Sequence, residues 1–426
     1  MSALIIFAML FALMLTGMPI SISLGLTVLT FLFTMTTVPI ESVALKLFTG
    51  IEKFEIMAIP FFLLAGTFLT HGGVAKRMIR FATTLVGHWH GGIGLAGVLA
   101  CALFASVCGS SVATVAAIGS VVLPEMVKQG FPKKFGAGVI ATSGALGILM
   151  LPSVIKVIYA VSTNTSIGAL FIAGLIPGLI LTTMLSFTTW RIAKKNNYPR
   201  LPKATWRERW DAFKDSAWGL FLVVIVIGGI FSGIFTATEA AAMSAVYAFI
   251  VSVFVYKDMG MKNVPKVLLD SAAMSAMLLY IITNATLFSF LMTSENIPQA
   301  LTEIILHMGL GTVGFLLVVN LLLLLAGNVM EPSSIILIMA PILFPVAVKL
   351  GIDPVHFGIM MIVNMEVGMC HPPVGLNLYV ASSITKMGIT ELTMAVLPWL
   401  LTMIVFLVLI TYMPQITMFL PNLIYK

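Results

Sequence analysis

Apolar residues run through this chain in long stretches, and small polar clusters break the stretches in a repeating way. Apolar character holds from residue 93 to Cys108-Gly109-Ser110-Ser111, lapses there, and resumes over residues 112–123. The arm before Gly109 falls short of the roughly 20 apolar residues that a membrane crossing takes. Two short arms around a Gly-Ser tip therefore predict a hairpin that enters the membrane and turns back. Backbone left unpaired at that depth is tolerated only when buried in protein or lining a cavity, so the tip is a functional-site candidate. Gly327-Asn328-Val329-Met330-Glu331-Pro332-Ser333-Ser334 interrupts a second apolar run, over residues 313–350, in the same manner.

The remaining pattern fills in around these two hairpins. Residues 4–38 are apolar with a break at Gly17-Met18-Pro19, either one kinked element or a short arm and a span. Spans are predicted over 56–70, 168–190, 217–235, 237–256, 267–292 and 392–413. Residues 71–90 and 297–308 mix charge with apolar positions, which suits helices lying along the interface. Residues 135–161 and 355–382 are apolar but interrupted, the first by Ser143-Gly144-Ala145-Leu146-Gly147 and Leu151-Pro152-Ser153. Proline removes a backbone donor and glycine loosens a helix, so both read as spans broken near the middle.

Composition then excludes whole classes. Of 426 residues, 60% are hydrophobic and only 9% charged, against about 25% charged in a soluble domain, so the chain is an all-α polytopic membrane protein. The net charge of +7 does not point to nucleic acid, because 8 of the 23 Lys and Arg lie within residues 191–214, as a basic loop between spans requires. With that loop in the cytoplasm, Lys76–Arg80, Lys128, Lys133, Lys134, Lys257, Lys262 and Lys266 all fall inside only if residues 93–127 enter and return on one side. On the same count the second hairpin enters from the opposite side. Cys101, Cys108 and Cys370 form neither a zinc motif nor a disulfide framework. The apolar N-terminus, without a basic n-region, reads as a retained span.

The halves match at an offset of about 221 residues: Leu123-Pro124 with Phe344-Pro345, Phe135-Gly136 with Phe357-Gly358, and Gly147 and Pro152 with Gly368 and Pro373. Hairpins entering from opposite faces make the repeat inverted, and inverted repeats with broken helices mark secondary transporters. Half-helix N-termini attract an anionic substrate, and half-helix carbonyl ends coordinate Na⁺. The candidate Na⁺ ligands are Gly109, Ser110, Ser111, Gly144 and Gly147 in the first repeat, and Gly327, Asn328, Val329, Pro332, Ser333, Ser334, Gly368 and Pro372 in the second. The competing reading is that small residues here only let helices pack. Substrate candidates are Ser153, Lys156, Pro373 and Asn377. Lys156, which the repeat aligns with Asn377, either meets a substrate carboxylate or pairs with an acid. Glu331 and Glu366 either join ion coordination or are structural acids, and Glu239 caps the helix after Thr236.

Residues 59–66 (IPFFLLAG), 109–119 (GSSVATVAAIG), 233–242 (GIFTATEAAA) and 372–380 (PPVGLNLYV), in that order, resemble the large membrane subunit of the tripartite ATP-independent periplasmic (TRAP) transporters along essentially the whole chain. Leu151-Pro152-Ser153 departs from the family, where a paired proline is usual. The resemblance implies an elevator-type importer of organic acids, C4-dicarboxylates or sialic acid, in the bacterial inner membrane. It implies Na⁺ as the coupling ion, two in number, and no organic cofactor. It implies two partners, a small four-helix membrane subunit and a periplasmic substrate-binding protein, besides membrane lipid and without nucleic acid. The expected division is scaffold over 1–92, 167–309 and 387–426, with the mobile transport domain over 93–166 and 310–386. A channel with re-entrant filter hairpins, or an intramembrane enzyme built on Cys108, His371 and Glu366, are the alternative classes.

Overall fold

The computed structural model describes every residue except Met1, Met308, Leu310, Val329, Pro373, Val374 and Lys426, and all but the side chain of Leu306. Among the described residues the regular structure is helical, and eight helices are long and apolar enough to cross a membrane. The break at Gly17-Met18-Pro19 yields two elements, Ser2–Leu15 and Ile20–Met35, which pack on one another. Gly17 takes a left-handed φ of 83°, a conformation that costs glycine nothing, and Pro19 starts the second helix.

Both hairpins form. The first consists of Gly92–Cys108 and Ser111–Lys128, the second of Gly311–Gly327 and Pro332–Lys349. Seventeen or eighteen residues per arm rise about 26 Å, close to the roughly 30 Å hydrocarbon layer, and both returning arms are among those eight helices. Both broken spans form as well. Lys133–Leu149 and Val154–Thr163 meet at an angle of 43° across the break at residues 150–153, and Pro354–Met369 and Leu376–Thr385 flank the other break. The amphipathic helices Val74–Val86 and Ile297–His307 precede the first and second hairpin respectively. The first buries Val74, Ala75, Met78 and Ala82 and ties its polar side to Asp258 through Arg77.

The packing is reciprocal between repeats. Val154–Thr163 of the first lies against Pro332–Lys349 of the second, and Leu376–Thr385 of the second lies against Ser111–Lys128 of the first. Such an exchange of equivalent elements is what an inverted repeat produces. Elsewhere Ala58–His71 packs on Ala237–Ile250 and Ile20–Met35 on Val264–Ser294, while Val264–Ser294 also meets the second hairpin and Ala58–His71 the first. Leu175–Lys195 and Ile389–Tyr412 lie against each other and against the first hairpin and the broken spans. The Trp399 indole, donating to the Thr189 hydroxyl at 2.8 Å, ties these two helices together.

The basic stretch 191–214 is also shorter as a loop than its composition suggests. Helix continues to Lys195 and restarts at Trp206, where Thr205 and Glu208 form a reciprocal capping box. Thr236 and Glu239 form the same box at the start of Ala237–Ile250, the capping role expected of Glu239.

Candidate functional site

At the first tip, Gly109 ends one arm at φ 65° and Ser110 starts the next, its hydroxyl accepting from the Ala113 N–H at 3.4 Å. This tip rests on the backbone of its own broken span. A methyl group on Gly147 would come within 2.5 Å of the Ser110 carbonyl group and the Ser111 nitrogen, so only glycine fits. Gly109 presses equally closely on the Pro152 carbonyl, and Gly144 on Val115. Ser111 is buried, donates to the Gly144 carbonyl at 3.0 Å, and accepts from the Asn377 amide at 2.8 Å. The tip also abuts the Ala58–His71 helix. A methyl on Gly66 would lie 2.8 Å from the Cys108 carbonyl oxygen, and the Thr70 hydroxyl contacts the Cys108 thiol at 3.7 Å.

At the second tip, Gly327 and Gly368 bring two backbones together, a methyl on Gly368 falling 2.9 Å from the Gly327 Cα. The Asn328 amide oxygen and the His371 Nδ1 pair at 2.9 Å, a second link from tip to break. Pro332 opens the returning arm with Glu331 at its cap position, and Glu331 accepts from the Ser333 hydroxyl at 2.6 Å and from that of Ser334 at 3.3 Å. The Met369 and His371 carbonyls converge at Gly375, which holds φ 56°. Val329 and Pro373, both site candidates, lie outside the described residues. Pro372 is half-buried beside His371.

Each break therefore gathers backbone carbonyls and small polar side chains around a hairpin tip. Carbonyl, hydroxyl and amide oxygens are the donors a hard monovalent cation takes. A cavity of about 580 Å³ opens at the second tip, walled by Asn328, Glu331, Ser334 and Gly375 on one side and by Ser21, Met277 and Tyr280 on the other. Glu331 gives this cavity a negative wall.

The substrate candidates are not all brought together. Ser153 is buried with its hydroxyl unpartnered at the first break, beside the Gly109 tip. Asn377 reaches across the repeats to Ser111. Lys156 is fully enclosed and donates to the Leu149 carbonyl at 2.6 Å, away from Asn377's partners. Gly66 and Thr70 escaped the sequence reading as site residues, although Gly66 ends the IPFFLLAG segment. Cys108, His371 and Glu366 engage different neighbours: Thr70, Asn328 and the surroundings of Lys156.

Two re-entrant hairpins seated on two broken spans in inverted repeat define a secondary transporter. The YdaH transporter of Alcanivorax borkumensis shares the fold, with a TM-score of 0.63 over 91% of this chain and 89% of that one at 16% identity. Residues 7–416 match the family described as the tripartite ATP-independent periplasmic transporter, DctM component, and the chain belongs to that family. It is 73% identical, over all of both chains, to the C4-dicarboxylate TRAP transporter large permease protein DctM of Rhodobacter capsulatus. It is 38% identical, over 96% of both chains, to the sialic acid TRAP transporter large permease protein SiaM of Vibrio cholerae. The chain is thus the large permease subunit of a transporter, a multi-pass protein of the inner membrane and not an enzyme.

Proposed function

We propose that this subunit imports a C4-dicarboxylate by Na⁺ symport, receiving it from a periplasmic binding protein and working beside a small four-helix membrane subunit. Identity of 73% over the whole chain to a C4-dicarboxylate permease carries the choice of substrate over sialic acid. Charge supports the coupling. A dianion near Glu331, in a cavity at the second tip, needs cations beside it, and ions held by the oxygen-rich breaks would supply them. Ser110 and Ser111 with the Pro152 carbonyl would serve one ion, and Asn328 and Ser333 with the Met369 and His371 carbonyls the other.

The elevator motion is part of the same reading. Hairpins and broken spans pack with Leu175–Lys195 and Ile389–Tyr412, and the Ala58–His71 and Val264–Ser294 helices, which pack on each other, touch the first and second hairpin respectively. The Gly66–Cys108 contact lies between Ala58–His71 and the first hairpin, where sliding would occur. Reconstitution with both partners decides the matter. Labelled succinate should accumulate only with an inward Na⁺ gradient and binding protein present, and unlabelled sialic acid should not compete. Accumulation by this subunit alone, indifferent to Na⁺, would refute the proposal.

A further inference from the structure

The second half-helix of the first broken span, Val154–Thr163, is fastened at its end by a lysine far upstream. The helix stops at Asn164, which holds a left-handed φ of 54° and returns its N–H to the Ala160 carbonyl. The Val161 carbonyl lies in the last turn, among the acceptors that a helix leaves without an internal partner. The Lys53 ammonium donates to it at 2.8 Å and to the Asn164 side-chain oxygen at 2.7 Å. A cation at this end also meets the negative pole of the helix dipole.

Lys53 is anchored on its other side. It sits in the short stretch between Ile40–Thr49 and Ala58–His71. The Thr238 hydroxyl, at the start of Ala237–Ile250, donates to the neighbouring Phe54 carbonyl at 3.3 Å. Ala58–His71 and Ala237–Ile250 belong to the expected scaffold, whereas Val154–Thr163 belongs to the expected transport domain. Lys53 thus joins the two parts that an elevator sets in relative motion. The second repeat has no such tie. Leu376–Thr385 also stops at a left-handed residue, Lys386 at φ 55°. Among the described residues its last carbonyls accept only from their own helix and from Lys386. The tie in the first repeat is also easily undone. Lys53 and Asn164 are both exposed, so water replaces each hydrogen bond as it breaks and release costs little.

We propose that Lys53 is a latch, closed on Val154–Thr163 in the present position and released when the transport domain moves. The proposal rests on the elevator reading. Lys133 faces the cytoplasm on the charge count, so a span that crosses once puts the latch at the periplasmic face.

The test tethers the latch in the complex with both partners. Lys53→Cys with Asn164→Cys, joined by a short bifunctional methanethiosulfonate before reconstitution, should lose succinate uptake to the level of empty vesicles and regain it on reduction. The native cysteines are buried and leave the introduced pair to react. A tethered complex that transports at the untethered rate overturns the latch, and so does a pair that the reagent does not join. A disulfide between the Thr70→Cys thiol and Cys108, whose side chains touch, ties the first tip to Ala58–His71 and separates the two readings. Uptake stopped there but not by the Lys53 tether leaves the elevator standing without the latch. Uptake stopped by neither tether removes both. The lysine itself is tested without transport. With Glu52→Cys and Asn164→Cys as reporters, Lys53→Met should slow their cross-linking about 2- to 10-fold, the loss of one hydrogen bond. An unchanged rate overturns the proposal, whatever the transported acid or the coupling ion.

Discussion

In the first repeat the hairpin tip is neutral and a lysine stands behind the break; in the second the tip carries a carboxylate and the matching position is an amide. Ser110 and Ser111 face Glu331 and Pro332 in the alignment, and Lys156 faces Asn377. Yet both tips meet their breaks through glycine, Gly147 under Ser110 and Gly327 against Gly368. Duplication has kept the contacts made by backbone, which cannot tolerate a side chain, and has let the side-chain chemistry separate.

The inversion itself offers the largest effect, because the outcome is all or none. A cysteine at Lys133 should react with a membrane-impermeant thiol reagent only from the cytoplasm, and one at Asp353 only from the periplasm. Both positions start the broken spans of their repeats. Labelling of both from one face would make the repeats parallel and remove the comparison.

The glycine contacts come next. Gly147→Ala should cost about 1–3 kcal/mol by overpacking, because its methyl meets three backbone atoms of Ser110 and Ser111 that cannot move aside. Gly327→Ala meets the Gly368 Cα at 3.1 Å and the rest of that backbone only at ordinary contact distance, and should cost under ~1.5 kcal/mol. Unfolding in increasing dodecyl sulfate would rank the two, and equal or reversed costs would show that the second contact is the tighter one.

The link between repeats is smaller still. Ser111→Ala and Asn377→Ala should each weaken stability by about 1 kcal/mol, and the double variant by less than their sum, since both remove the 2.8 Å bond between them. Strict additivity would mean that each residue acts through its other partners, the Gly144 and Ala141 carbonyls.

Much of the architecture was legible in the sequence because breaks in apolar runs are local signals. Gly109-Ser110, Gly327-Asn328 and the Gly147–Pro152 spacing each announce a turn without reference to distant residues. The box at Thr236 and Glu239 is equally local. What sequence could not show is which distant groups meet. Ser111 and Asn377 are 266 residues apart, and nothing in either segment names the other. Nor does the sequence around Lys156 say that it would donate to the Leu149 carbonyl. Which helices Leu175–Lys195 and Ile389–Tyr412 pack against was illegible for a different reason. Lipid is as apolar as leucine, so hydropathy alone does not say which helices associate. The basic stretch misled because Lys194 and Lys195 suit the last turn of a helix as well as a loop.

The central claim is that each hairpin tip helps hold a coupling ion. Its most direct test is succinate uptake against Na⁺ concentration in proteoliposomes holding all three components, for the wild type, Ser110→Ala and Ser333→Ala. The Ser110 oxygen accepts one backbone N–H, and the Ser333 hydroxyl gives its proton to Glu331, so each keeps a lone pair for a cation. Removing a bond to a charged partner worth about 1.5–3 kcal/mol should raise the half-saturating Na⁺ concentration about 10- to 150-fold, with expression and assembly little changed. Half-saturation unmoved in both variants would contradict the claim and leave those serines as packing residues alone.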